Sequence, residues 1–91
     1  MMKDENVATP SQCRAARALL NWTQAVLAER AGVARKTIAD FELATRTLHI
    51  RTRRDITATI EAAGVEFSWD GSQGVRFANG SQTNRRRAKS A

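Results

Sequence analysis

The sequence predicts a mainly α-helical domain of four to five helices, followed by a β-hairpin and a disordered basic tail. Three observations carry that prediction. Two short amphipathic patterns abut across a tight Ala-Gly-Val turn within residues 23–42, TQAVLAERAGVARKTIADFE. Apolar spacing is helical as far as Gly64 and alternating beyond it. The last stretch, NGSQTNRRRAKSA, holds almost nothing to bury. The expected organisation is a disordered arm over 1–9, a helical domain over 10–64, a hairpin extension over 65–78 and a disordered basic tail over 79–91.

The first helix is expected from Pro10 to about Asn21, capped by Thr9 or Ser11, because a first turn has no use for the N–H that proline lacks. Ala15, Ala16, Leu19 and Leu20 are its apolar positions, and Trp22 closes it against the next helix. Thr23 caps a second helix whose Ala25, Leu27, Ala28 and Ala31 face inward. Gly32 stops it, since glycine enters the left-handed conformation that lets the chain reverse. In the third helix Ile38 and Phe41 are the buried pair, which leaves Arg35, Lys36, Ala39, Asp40 and Leu43 facing outward.

A fourth helix is expected from about Ile50 to Ala63, with Ile56 and Ile60 at i, i+4 and Gly64 as its stop. Val65, Phe67 and Trp69 then alternate with Glu66 and Ser68, Asp70-Gly71 and Gly74 supply turn chemistry, and Val75-Arg76-Phe77 returns as a second strand. A lone hairpin is marginal in water. It must pack on the helices or pair with another subunit, and Phe67, Trp69 and Phe77 are the candidate dimer or partner interface.

A chain of 91 residues builds one modest core, with no room for a second that has its own pocket. Lysine and arginine total 15 against 9 acidic residues, a net charge of +6 that suits a nucleic-acid partner. Arg85, Arg86, Arg87 and Lys89 hold four of the positive charges, so the rest of the chain has 11 bases against 9 acids. Where charges lie therefore matters more than how many there are. The single cysteine, Cys13, excludes an internal disulfide, fits a reducing cytoplasm and reads as a small core residue. With one histidine, His49, and no cluster at metal-ligand spacing, neither a metal nor any other cofactor is expected. No apolar run suits a membrane span, the N-terminus MMKDENVATP does not read as a signal peptide, and no nucleophile, base and oxyanion donor assemble for catalysis.

Two short helices reversed across a glycine turn are a device for setting one helix into the major groove of double-stranded DNA. Arg17 together with TQAVLAERAGVARKTIADFE resembles the helix-turn-helix of the Cro and phage-repressor (XRE-type) family of bacterial and phage regulators, over roughly residues 12–63. The resemblance implies a repressor-like DNA-binding fold for 10–64. In that family Thr23-Gln24 opens the first motif helix, Ala28 and Gly32 are the small turn residues, and Ile38 with Phe41 fills the core. It also implies a structural ion pair between Arg17 and Glu42, and a phosphate contact from Gln24.

A groove about 12 Å wide admits one helix, and only residues near its N-terminus reach base edges. Arg35 and Lys36 are accordingly the leading base-reading candidates, with Ala39 against a thymine methyl. Asp40 either accepts from cytosine N4 or is a solvated acid. Thr37, Arg46 and Thr47 are phosphate candidates by position; Arg30 and the run Arg51, Arg53, Arg54 read first as solvated faces. His49 reads as a loop residue and Trp22 as core.

Four departures from the family pattern bear on structure. Ala44 stands where relatives often have the glycine that ends the recognition helix, and Leu48 where they have proline, so a longer helix or a different turn is expected over 43–49. Ala34 replaces a serine or threonine cap, a loss of about 1 kcal/mol. Arg53 replaces a buried leucine, which thins the fourth helix and points to completion by another subunit or protein.

The expected function is a sequence-specific, dimeric, cytoplasmic transcription repressor acting on an inverted-repeat operator. The alternative is an antitoxin or anti-activator that keeps the scaffold but acts through protein contacts.

Overall fold

A computed structural model describes residues 6–70 and 72–78. The basic tail, Gly71 and the first five residues of the arm lie outside the described residues. The described elements are α1 (Pro10–Leu20), α2 (Gln24–Ala31), α3 (Arg35–Glu42), α4 (Ile50–Ala62), β1 (Val65–Phe67) and β2 (Val75–Phe77). No described helix is long and apolar enough to cross a membrane.

Thr9, of the two expected candidates, caps α1. Its hydroxyl accepts from Gln12 N, and the Gln12 side chain accepts from Thr9 N in return, each at 3.1 Å. This box turns Gln12 inward and sets the phase of the helix. The buried face is therefore Gln12, Cys13 and Ala16, while Leu19, expected inside, is exposed and Ala15 and Leu20 are half-buried. In α2 the buried pair is Leu27 and Ala28; Ala25, also expected inside, faces solvent.

Thr23 caps α2 by accepting from Val26 N. Gly32 ends it at φ 74°, where an added Cβ would meet nothing within 4 Å, so the position requires glycine for its conformation and not for space. Val33 N then donates back to Ala28 O at 2.9 Å, and the chain reverses into α3. At the far end of α3 the expected longer helix or different turn does not occur. Ala44 itself adopts the left-handed conformation, φ 59°, with Ala44 N donating to Phe41 O and Thr45 N to Asp40 O. Alanine thus occupies a glycine-type position, and Leu48 beyond it enters the core.

His49, read as a loop residue, caps α4: its Nδ1 accepts from Arg51 N at 3.0 Å. Ile56 and Ile60 are fully buried, as the spacing predicts, and Gly64 at φ 102° follows the helix. Arg53 corrects a further expectation. Its Nη2 donates to Ala8 O at 3.0 Å and its guanidinium lies 5.4 Å from the centre of the Phe41 ring. Thr57 Oγ1 meanwhile accepts from Ala8 N. The place a leucine would fill is thus met from within the chain, and Val7 and Ala8, expected in a disordered arm, are buried because α4 satisfies both polar groups of the Ala8 backbone.

The strands pair antiparallel with Val65 opposite Phe77, Glu66 opposite Arg76 and Phe67 opposite Val75. Val65 and Phe67 belong to the core, and Val75 and Phe77 pack against it. Gln12 fastens the turn end of the hairpin to α1, its Nε2 donating to Ser68 O and Gly74 O at 3.0 and 3.3 Å. Of the three aromatics proposed as an interface, Phe67 and Phe77 pack on the domain's own helices. Trp69 stays exposed, its ring 5.5 Å from that of Phe67.

Candidate nucleic-acid interface

The inner side of α3 is anchored by Ile38 and Phe41, both buried in the core, and by Glu42. Arg17 meets the Glu42 carboxylate with two donors, Nε to Oε2 and Nη2 to Oε1, each at 2.7 Å. Gln24 Nε2 donates to Oε1 at 3.1 Å, and the Cys13 thiol donates to Oε2 at 3.2 Å. Arg14 adds a bond to the Glu42 backbone carbonyl. One acid thus ties the end of α3 to α1 and to the start of α2.

Burial by itself would push the Glu42 carboxyl up, but the donors from Arg17, Gln24 and Cys13 outweigh it and hold the group below the ordinary carboxylate range. Its hydrogen bond to Glu42 raises the Arg17 guanidinium further above its ordinary value. The Cys13 thiol is pushed well up by burial and by its bond to Glu42, so it remains protonated and serves as a donor.

Arg17 and Glu42 have partners that the motif does not suggest. Arg14, three residues before Arg17 on α1, and Cys13, four residues before it, share the face turned toward Glu42. That i, i+3, i+4 spacing is the signal by which the sequence marks them. Gln12 and Thr57 carry no such signal, because their partners are backbone groups distant in the chain.

The outer side of α3 is open. Arg35 and Lys36 are exposed at its start, Thr37, Ala39 and Asp40 are half-buried, and Leu43 stands clear at its end. Lys36 Nζ lies 3.3 Å from Asp40 Oδ2, an i, i+4 pair on this face. Such an exposed pair is worth only about 0.5 kcal/mol, so either member is readily drawn to another partner. Ala34 makes no side-chain cap bond, which leaves the first turn of α3 uncovered, whereas Thr9, Thr23 and His49 cap the other three described helices. Arg46 and Thr47 are exposed on the connection that follows.

Two basic positions are used elsewhere. Arg30 lies over the half-buried Trp22, 4.7 Å from the ring centre, and Arg53 faces inward as described above. Arg51 remains exposed.

Residues 14–52 match the helix-turn-helix family model. They are a helix-turn-helix of the Cro/C1 (XRE) type. The match begins inside α1, takes in α2, the turn and α3, and ends at the start of α4. A helix-turn-helix of this type is the DNA-binding domain of transcription regulators, a regulatory and typically non-enzymatic family. The hairpin and the residues before Arg14 lie outside the matched segment. No curated protein matches the chain.

Proposed function

We propose that the protein is a sequence-specific repressor that binds an inverted-repeat operator as a dimer, reads the major groove with α3 and acts in the cytoplasm, where its DNA lies. The observation that carries this reading is the asymmetry of α3: its inner side is locked to the scaffold through Glu42, while Arg35 and Lys36 are exposed at an uncapped N-terminus, Lys36 held only by its weak pair with Asp40. A reading helix needs that combination, since base recognition depends on a fixed helix presenting free side chains. Arg35 suits guanine O6 and N7, with about 1–3 kcal/mol of discrimination; Lys36 reads the same edge with less geometric selectivity. Asp40 either accepts from cytosine N4 or stays on Lys36 as a solvated acid, and Ala39 lies beside them.

Gln24 fits a phosphate role without leaving Glu42. An amide carries two N–H groups, and the bond to Oε1 uses one of them, which leaves a second donor for a backbone oxygen. Thr37, Arg46 and Thr47 are the remaining phosphate contacts. The alternative, a module acting through a protein partner, draws its support from the exposed Trp69 and from Arg51 of the basic run, since Phe67 and Phe77 pack with the core and Arg53 faces inward.

Selection of binding sites from randomised DNA tests the proposal. The expected result is an inverted repeat with half-site centres about one helical turn apart. Arg35→Ala and Lys36→Ala each relax preference at one position per half-site, with melting unchanged. Retained specificity in both variants removes base readout from these residues, and the absence of any consensus removes the function.

A further inference from the structure

We propose that the chain's own basic tail, Arg85, Arg86, Arg87 and Lys89, docks in a groove beside the hairpin, its arginine side chains laid against the Trp69 ring and the Glu61 and Glu66 carboxylates. The groove is lined by Glu61 near the end of α4, by Val65, Glu66 and Phe67 of β1, and by Trp69 and Ala78. This lining holds two acids, no base and otherwise apolar side chains. It is the chemistry that accepts a long cationic side chain, whose stem is apolar and whose head is charged.

The lining has binding capacity to spare. Its walls push the Glu61 carboxyl above the ordinary value, and no hydrogen bond or cation among the described residues brings it back. Glu66 accepts from Arg76 Nε through Oε1 at 2.9 Å, which leaves Oε2 for a second donor. Trp69 is 39% exposed, although Val65 and Phe67, which precede it at alternate positions, are buried. The fold already contains the contact proposed for it: Arg30 lies 4.7 Å from the centre of the Trp22 ring.

The occupant follows from where the chain goes. The described residues end at Ala78, which is itself part of the groove. Arg85 comes seven residues later, a span of at most about 25 Å, so all three arginines lie within reach of Glu61 and Trp69. A tether that short gives an effective concentration on the order of millimolar, which fills a site too weak to hold a free peptide. None of the lining residues belongs to α3, so the chain's longest basic run is held by a surface other than α3.

Cys13 is fully buried, so Ala88→Cys places the one accessible thiol among the tail charges without removing any of them. A nitroxide on that thiol broadens the NMR signals of nuclei close to it. In the full-length, isotope-labelled chain the Glu61 and Glu66 amides and the Trp69 indole N–H are expected to lose most of their intensity, while the amides of α3 keep theirs. Glu61→Gln, an exposed substitution that leaves the core untouched, restores the lost signals in part. Arg85→Gln, Arg86→Gln and Arg87→Gln together restore them fully. No loss at the groove, or an even loss over the whole surface, overturns the proposal. So does a loss unchanged by these substitutions, since the label and not the charge is then what binds. A loss equally large in a mixture of spin-labelled chains and separate isotope-labelled chains seats the tail of a second copy in the groove and overturns docking within one chain.

Discussion

At its N-terminal end α3 begins on Ala34 with no side chain over its first turn, whereas at its C-terminal end Glu42 gathers Arg17, Gln24 and Cys13 on one carboxylate and Arg14 on its carbonyl. The two ends are about 10 Å apart and obey opposite rules. Loss of a cap costs about 1 kcal/mol and leaves backbone N–H groups facing water; a buried carboxylate without partners costs several times more. The chain therefore tolerates an unfinished N-terminus but surrounds the acid completely. Orientation is held at the closed end, and the open end is left to meet a ligand.

Removing the anchor has the largest expected effect. Glu42→Ala strands Arg17 and the Gln24 amide, and unfolding in urea should show a loss of about 3–5 kcal/mol. A loss below about 1 kcal/mol would mean that Ile38 and Phe41 hold α3 without help from the ion pair.

Protonation probes the same end more gently. Because the folded state holds the Glu42 carboxyl below its ordinary range, the unfolded chain binds a proton there more readily than the folded one. The stabilisation is complete above the unfolded value, about 4.3, and is lost as pH falls through the lower folded value. Melting temperature should be flat above about pH 5 and decline below about pH 4, with a shallower decline in Glu42→Gln. Identical acid limbs in the two proteins would place the acid sensitivity elsewhere.

Beyond the anchor, Ala44 occupies the left-handed region at φ 59°, which costs an L-residue about 1–2 kcal/mol. Ala44→Gly relieves this and is expected to raise stability by about 1 kcal/mol, read as a higher melting midpoint, since part of the gain is returned as glycine's entropy in the unfolded chain. A decrease would show that the turn needs a Cβ.

The smallest effect belongs to the open end. Ala34→Ser supplies a cap and should add about 0.5 kcal/mol. If the variant gains nothing, the first turn is already satisfied and the contrast between the two ends fails.

Much of the fold is legible in the amino-acid pattern. Gly32 between two short amphipathic patterns locates the reversal, and Ile38, Phe41, Ile56 and Ile60 are readable as core from their spacing. The phases of α1 and α2 are not, because Gln12 is buried in place of a leucine and Ala25 is outside. Apolar spacing presumes that polar groups stay in water, and Gln12 breaks that presumption by finding Thr9 N, Ser68 O and Gly74 O. Arg53 and His49 mislead for the same reason: Arg53 completes the core around Ala8 and Phe41, and His49 caps a helix.

The sequence by itself determined the local events, namely the helix-turn-helix reversal at Gly32, the buried pair of α3 and the return of a hairpin after Gly64. These depend on backbone preferences and on periodicity within a few residues. Only the tertiary structure decided that residues 7–8 and the hairpin are parts of one core and that Glu42 is shared by α1 and α2. It also decided that Ala44 turns where glycine was expected. Each of those outcomes depends on a partner brought close by packing, and a polar group's partner across the fold leaves no periodic trace in the chain.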